Sequence, residues 1–213
     1  MTSQTQDVKR SYDSSRRQER ARRSRLAVLE AAERLFLRDG YAPTTVAAIA
    51  AEAGVSADTI YKAFVGKAGL VRAIRDRALE GEGTIPADVR SDELQARETD
   101  PRKLFEEWGR FVAEITPRVS PILLLIRDAA TTDAEVSELY AEMDADRLRR
   151  MTENARRLRA AGHLRAGVSV AAAADVLWTY TSAELYELLV LRRRWTPKRY
   201  GRFAAEAMAE ALL

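Results

Sequence analysis

The 213-residue, 23.8 kDa chain is 46% hydrophobic and 31% charged, the balance of a globular protein with one large core or two smaller ones. It has no cysteine and a single histidine, His163. That composition excludes disulfides, thiolate metal sites and cysteine nucleophiles, and leaves almost no material for a Ser-His-Asp or zinc centre. The formal net charge of +3 is uneven: residues 1–25 hold eight Lys and Arg against three acids, residues 26–81 balance, and the remainder is net negative.

Residues 1–24 are rich in Ser, Gln and Arg with almost no large apolar side chain, so a disordered basic arm is expected there when the chain is free. The segment lacks the apolar core of a signal peptide. The longest run of large aliphatics, residues 122–126, is too short to cross a bilayer, and a cytoplasmic location is expected. Residues 25–38 carry Val28, Leu29, Ala32, Leu35 and Phe36 at the spacing of one helical face, and Asp39-Gly40 reads as a left-handed stop.

Residues 44–70, TTVAAIAAEAGVSADTIYKAFVGKAGL, are the most informative stretch. Val46, Ile49, Ala50 and Ala53 form a buried stripe; Gly54 supplies a residue without Cβ for a sharp turn; Ser56 caps a second helix anchored only by Ile60 and Phe64. Two short helices meeting at a tight turn form a helix-turn-helix, with the second helix offered to a DNA major groove. Thr44, Thr45, Tyr61, Lys62 and Lys67 fall at helix starts or on the exposed face, where hydroxyls, cations and free N–H groups meet phosphates. Ala57, Asp58, Thr59 and Ala63 complete that face. Lys62 suits guanine O6 and N7, whereas Asp58 repels phosphate unless it accepts from a cytosine N4. A third helix follows, with Leu70, Val71, Ile74 and Ala78 inward, and closes at Gly81.

This stretch resembles the N-terminal domain of TetR-family transcriptional regulators. The resemblance rests on Thr44-Thr45, Ile49-Ala50, Ala53-Gly54-Val55-Ser56, Thr59-Ile60-Tyr61, Phe64 and Lys67-x-x-Leu70, and is strong over residues 25–78. It implies that Tyr61 contacts the DNA backbone. The family often has a larger residue where Ala63 stands, so base reading through this helix is expected to be thin.

Beyond a Gly- and charge-rich boundary, Asp100-Pro101 opens a helix with Leu104, Trp108, Phe111, Val112 and Ile115 inward. Pro117 and Pro121 are expected to break it, with a short apolar helix running from Pro121 to about residue 130. Asp133 caps a long helix carrying Val136, Leu139, Tyr140, Met143, Leu148, Met151 and Leu158. Ser169 caps one long or kinked helix over residues 170–193, and Thr196-Pro197 starts the last. The expected fold is all-α with about nine helices: a basic arm (1–24), a helix-turn-helix domain (25–81) and a larger helical domain (82–213).

By resemblance, the larger domain binds a small-molecule effector and its last two helices pair with their copies in a homodimer, which implies a palindromic operator. Trp108, Phe111, Tyr140, Met143, Trp178 and Tyr186 are candidate lining of an effector pocket, with Arg127, Asp128 and Glu184 as candidate polar contacts. Neither a cofactor nor a metal is expected, and the chain is not read as an enzyme. Repression is the family's usual mode; a transcriptional activator with the same DNA-binding domain, or a dimeric helical adaptor, is the alternative.

Overall fold

The computed structural model describes the backbone of residues 3–81, 83 and 85–213, and side chains from Gln18 onward. Two compact units divide the chain, Met1–Ile74 and Arg75–Leu213. The described residues are helical throughout, without a strand: α1 (Ser3–Asp39), α2 (Val46–Ala53), α3 (Ala57–Phe64) and α4 (Lys67–Glu80), then α5 (Ala87–Arg97), α6 (Pro101–Ala129), α7 (Ala134–Ala160), α8 (Val170–Tyr180), α9 (Ala183–Tyr186) continuing as a π-helix over Glu187–Arg192, and α10 (Pro197–Leu212). No described helix is long and apolar enough to cross a membrane.

In the first unit α1 begins at Ser3, so its backbone is helical where the sequence suggests an arm; the side chains of residues 1–17 lie outside the described ones. No Gly or Pro falls between Ser3 and Asp39, and Glu19 bridges Arg22 and Arg23 at three- and four-residue spacing. Val28, Leu29, Ala32, Leu35 and Phe36 of α1 pack with Ile49, Ile60, Phe64, Leu70, Val71 and Ile74, all buried. The division between units falls inside α4 rather than at Gly81. Leu70, Val71 and Ile74 belong to the first core, whereas Ala78 clusters with Ile115 and Val119 of the second.

In the second unit α6 departs most from the reading of its sequence. It runs unbroken through Pro117 and Pro121. Each proline removes one intrahelical hydrogen bond and costs about 3 kcal/mol in a helix interior. Against that, Leu104, Phe105, Trp108, Val112, Ile115, Val119, Ile122, Leu124 and Ile126 are all buried along this one helix. At about 1.5–3 kcal/mol for each large apolar side chain, burial outweighs the two prolines. Residues 170–193, expected as one long or kinked helix, divide at Thr181: Ser182 caps α9, its hydroxyl accepting from Leu185 N–H at 3.1 Å.

The last helix packs closely against α6 and α8. Tyr200, Gly201, Ala204, Ala205, Met208, Ala209 and Leu212 of α10 are buried, and α10 crosses α6 so closely that a Cβ built on Gly201 would lie 2.1 Å from the Gly109 carbonyl oxygen. Only a pair of glycines allows this approach of two backbones. Tyr200 is fully buried and its hydroxyl donates to the Tyr180 carbonyl at 2.8 Å, fastening α10 to α8.

Candidate nucleic-acid interface and effector cavity

Three local devices shape the α2–turn–α3 corner. Thr45 caps α2, its hydroxyl accepting from Ala48 N–H at 3.1 Å. Gly54 then takes the left-handed conformation, φ 67°, that only a residue without Cβ adopts without strain, and Val55 N–H closes back on Ala50 at 3.0 Å. Ser56 caps α3, accepting from Thr59 N–H at 3.2 Å and sharing a 2.8 Å bond with the Thr59 hydroxyl. Ile60 and Phe64 point into the core, and Arg25 lies over the Phe64 ring at 4.3 Å, pinning α3 to α1.

The opposite side of α3 presents exposed Asp58, Thr59, Tyr61, Lys62 and Ala63, with Ala57 partly buried at its start. Tyr61 is 56% exposed, free of the core and available to a partner. Lys62 and Asp58, one turn apart, form an ion pair at 2.7 Å. Val65 ends α3 with φ 57°, a strained conformation for a β-branched residue, and leaves its side chain 86% exposed. The sequence reading missed Val65; the only hint was a β-branched residue beside Gly66 in a two-residue interhelical link.

Two predicted contact residues are engaged elsewhere. Thr44 is buried, and its hydroxyl donates to the Gly40 carbonyl at 2.7 Å, so it braces the α1–α2 corner and presents nothing to solvent. Lys67 is half-buried; its ammonium donates to the Tyr41 carbonyl at 2.7 Å and sits 4.2 Å from the Tyr41 ring centroid. Thr45, Ala57, Asp58, Thr59, Tyr61 and Lys62 therefore gather on one corner, while Thr44 and Lys67 support it from behind.

The second unit encloses a cavity of about 540 Å³. Four of the six predicted residues, Trp108, Phe111, Tyr140 and Met143, line it, together with Val112, Ile115, Val119, Leu123, Met151, Leu177 and Met208. Trp108 Nε1 donates to Ser91 Oγ at 3.1 Å, which fixes the indole, and Arg90 lies 4.9 Å from the Phe111 ring while pairing with Glu114 at 3.0 Å. Trp178 and Tyr186 are not part of the lining. Trp178 donates to Asp144 at 3.2 Å under the Arg147 guanidinium, and Tyr186 is buried edge-on against Tyr200. Helical spacing cannot tell these inward positions apart, because core and cavity share the same side of each helix.

The charged residues of the lining are largely paired with one another. Arg75 reaches Asp146 at 3.3 Å and Asp76 at 2.9 Å, Arg147 reaches Asp144 at 3.0 Å, and Arg150 bonds Asp92. Burial pushes the Asp92 carboxyl up, but the Arg150 and Arg157 guanidiniums more than offset this and hold it below the usual range. Of the predicted polar contacts, Glu184 lines the cavity and accepts from the Tyr140 hydroxyl at 2.9 Å. Arg127 pairs instead with Asp128 and Glu187, each at 2.9 Å. Burial first, and then the bond to Glu184, push the Tyr140 hydroxyl up to about 12.

A capped, Gly-turned helix pair with a solvated second helix, followed by a helical unit around an apolar cavity, defines a helix-turn-helix protein with a separate ligand-sized chamber. Residues 28–74 match the model of the bacterial regulatory proteins of the tetR family. Over these residues the first unit is similar to the bacterial regulatory proteins of that family. Two regulators of Pseudomonas putida are similar: TtgR is 40% identical over 110 residues, and the probable regulator ArpR 36% identical over 110 residues. Each match covers 51% of this chain and 52% of the relative, so the chain spans about half the length of the curated relatives it matches. Among solved structures, NalD, the secondary repressor of the MexAB-OprM multidrug efflux pump in Pseudomonas aeruginosa, superposes with a TM-score of 0.72 at 21% identity, over 91% of this chain and 98% of that one. The triclosan complex of SmeT, repressor of a Stenotrophomonas maltophilia multidrug efflux pump, gives 0.66 at 24% identity over 89% and 91%. These likenesses show that the chain shares its fold with those two proteins over nearly its whole length.

Proposed function

We propose that the chain is a cytoplasmic, homodimeric transcriptional repressor that binds a palindromic operator through α3 and leaves it when a small molecule fills the cavity of the second unit. The observation that carries this reading is the α2–turn–α3 corner, whose exposed Tyr61, Thr59 and Lys62 stand on a helix held by Ile60 and Phe64. Two such helices in a dimer would enter successive major grooves about 34–36 Å apart. Exposed Leu188 and Leu191, with half-buried Val176, Tyr180 and Phe203, supply apolar surface for the second copy. The cavity's volume and mostly apolar wall suit a ligand of drug-like size with few polar groups.

The test is retardation of the DNA upstream of the chain's own gene, with triclosan, which SmeT binds in its solved complex, as first probe of release. The full chain should retard that DNA as a dimer, and triclosan should lower the retarded fraction. Met143→Trp, which fills the cavity, should abolish the triclosan effect while leaving DNA binding in place. Failure to retard any duplex would overturn the reading.

A further inference from the structure

We infer that Asp58 and Lys62 work as a single recognition dyad that reads one G·C base pair in each half-site. This rests on the DNA-binding role of α3 proposed above. The two residues are the only charged groups on α3, and they meet at 2.7 Å through Lys62 Nζ and Asp58 Oδ2. Their side chains are 76% and 69% exposed, Lys62 and Asp58 respectively, so in water the pair adds little to the stability of a helix already capped by Ser56. Its consequence is for charge at the interface. The charged side chains of α3 sum to zero, so they give the helix no net charge to attract phosphate, and in the free protein the Lys62 ammonium lies against Asp58.

The dyad offers the groove a donor and an acceptor side by side. Lysine has three N–H donors, and with one committed to Asp58, two remain. Asp58 keeps its other oxygen and further lone pairs free of Lys62. In the major groove a G·C pair presents two adjacent acceptors, N7 and O6, followed by the N4 donor of cytosine. O6 and N4 are hydrogen-bonded to each other and hence about 2.9 Å apart, close to the separation within the dyad. Two lysine donors on N7 and O6, with the carboxylate on N4, match this order. An A·T pair interposes its N6 donor between two acceptors, so it offers the lysine one acceptor, N7, where guanine offers two adjacent ones. Ala57 and Ala63 beside the dyad carry no polar group to compete for the same edge. The carboxylate, unfavourable before phosphates, becomes the acceptor half of the readout.

The experiment is selection of binding sites from a random duplex library by the full chain, repeated with Asp58→Ala, Lys62→Ala, the double variant and Asp58→Asn. The wild type should prefer G·C over A·T at one symmetric position by about tenfold or more. Each single alanine variant should erase the preference at that same position, and the double variant should lose no more than either single one. Asp58→Asn, whose amide suits adenine N6 and N7, should move the preferred base there toward A·T. Melting temperatures equal to the wild type's would show that the exposed substitutions leave the fold intact. Singles that act at different positions, or an Asp58→Ala profile identical to the wild type's, would overturn the dyad while the DNA-binding reading stands. A wild-type chain that selects no sequence and binds no duplex would overturn both.

Discussion

Gly201→Ala is the substitution whose sign separates local helix propensity from tertiary packing. In an exposed helix interior, replacing Gly by Ala stabilises by about 0.5–1 kcal/mol. Gly201 is buried in α10, and the new Cβ would lie 2.1 Å from the Gly109 carbonyl oxygen and 2.9 Å from the Ala113 Cβ. The first neighbour is backbone and cannot rotate away, so α6 and α10 must part by roughly an ångström to reach ordinary contact. Overpacking of this kind typically costs about 1–3 kcal/mol, more than the propensity gain. A chain of this length loses roughly 2–4 °C per kcal/mol, so a net loss of about 0.5–2 kcal/mol predicts a melting temperature lower by about 1–8 °C. Because Gly109 sits beside Trp108 and near Phe111 on the cavity wall, ligand affinity should fall as well. Differential scanning calorimetry of the two proteins decides it: an unchanged or raised melting temperature would refute the close crossing of α6 and α10.

Other consequences follow from the same contacts. Lys67→Met removes a charged donor from the Tyr41 carbonyl and a cation from the Tyr41 ring; with about 1.5–3 kcal/mol for the charged hydrogen bond and about 0.5–1 for the ring contact, chemical denaturation should show a loss of about 2–4 kcal/mol. A variant as stable as the wild type but weakened for all DNA sequences alike would make Lys67 a phosphate contact instead. Tyr140, ordinarily near pH 10 and here pushed up to about 12, gains stability in its neutral form; that gain is complete below about pH 10 and lost as pH rises through the folded value. Stability measured between pH 9 and 12 should therefore fall less steeply in Tyr140→Phe, and parallel curves would contradict the burial of that hydroxyl. Deletion of residues 2–22, which removes much of the N-terminal positive excess, should weaken DNA binding and flatten its salt dependence; an unchanged slope would leave these residues without a role at the phosphates.

The helix-turn-helix was legible because every feature that shapes it is local. The apolar stripe of α2, the left-handed Gly54, the Ser56 cap and the Ile60–Phe64 pair are all set by spacing within a few turns. What the sequence did not reveal depends mostly on contacts that a residue makes outside its own helix. Pro117 and Pro121 signal a break by every local rule, and only the burial along both sides of α6 overrides them. Thr44 has the look of a phosphate contact, yet its hydroxyl finds the Gly40 and Leu35 carbonyls across the corner. Lys67 likewise turns toward the backbone of residues 41 and 42. Trp178 and Tyr186 have the same helical phase as true cavity residues, but Asp144 and Tyr200 claim them. The α6–α10 crossing was invisible because its signal is two glycines ninety-two positions apart, Gly109 and Gly201.

Methylation interference on the bound operator, combined with sedimentation of the complex, tests the central claim most directly. Two protomers should bind one duplex, and methylation of guanine N7 should block binding at two symmetric positions one helical turn apart, about 34–36 Å, with both blocks lost in Lys62→Ala. A single protomer per site, or interference without two-fold symmetry and indifferent to Lys62, would contradict the reading of α3 as the recognition helix of a dimer.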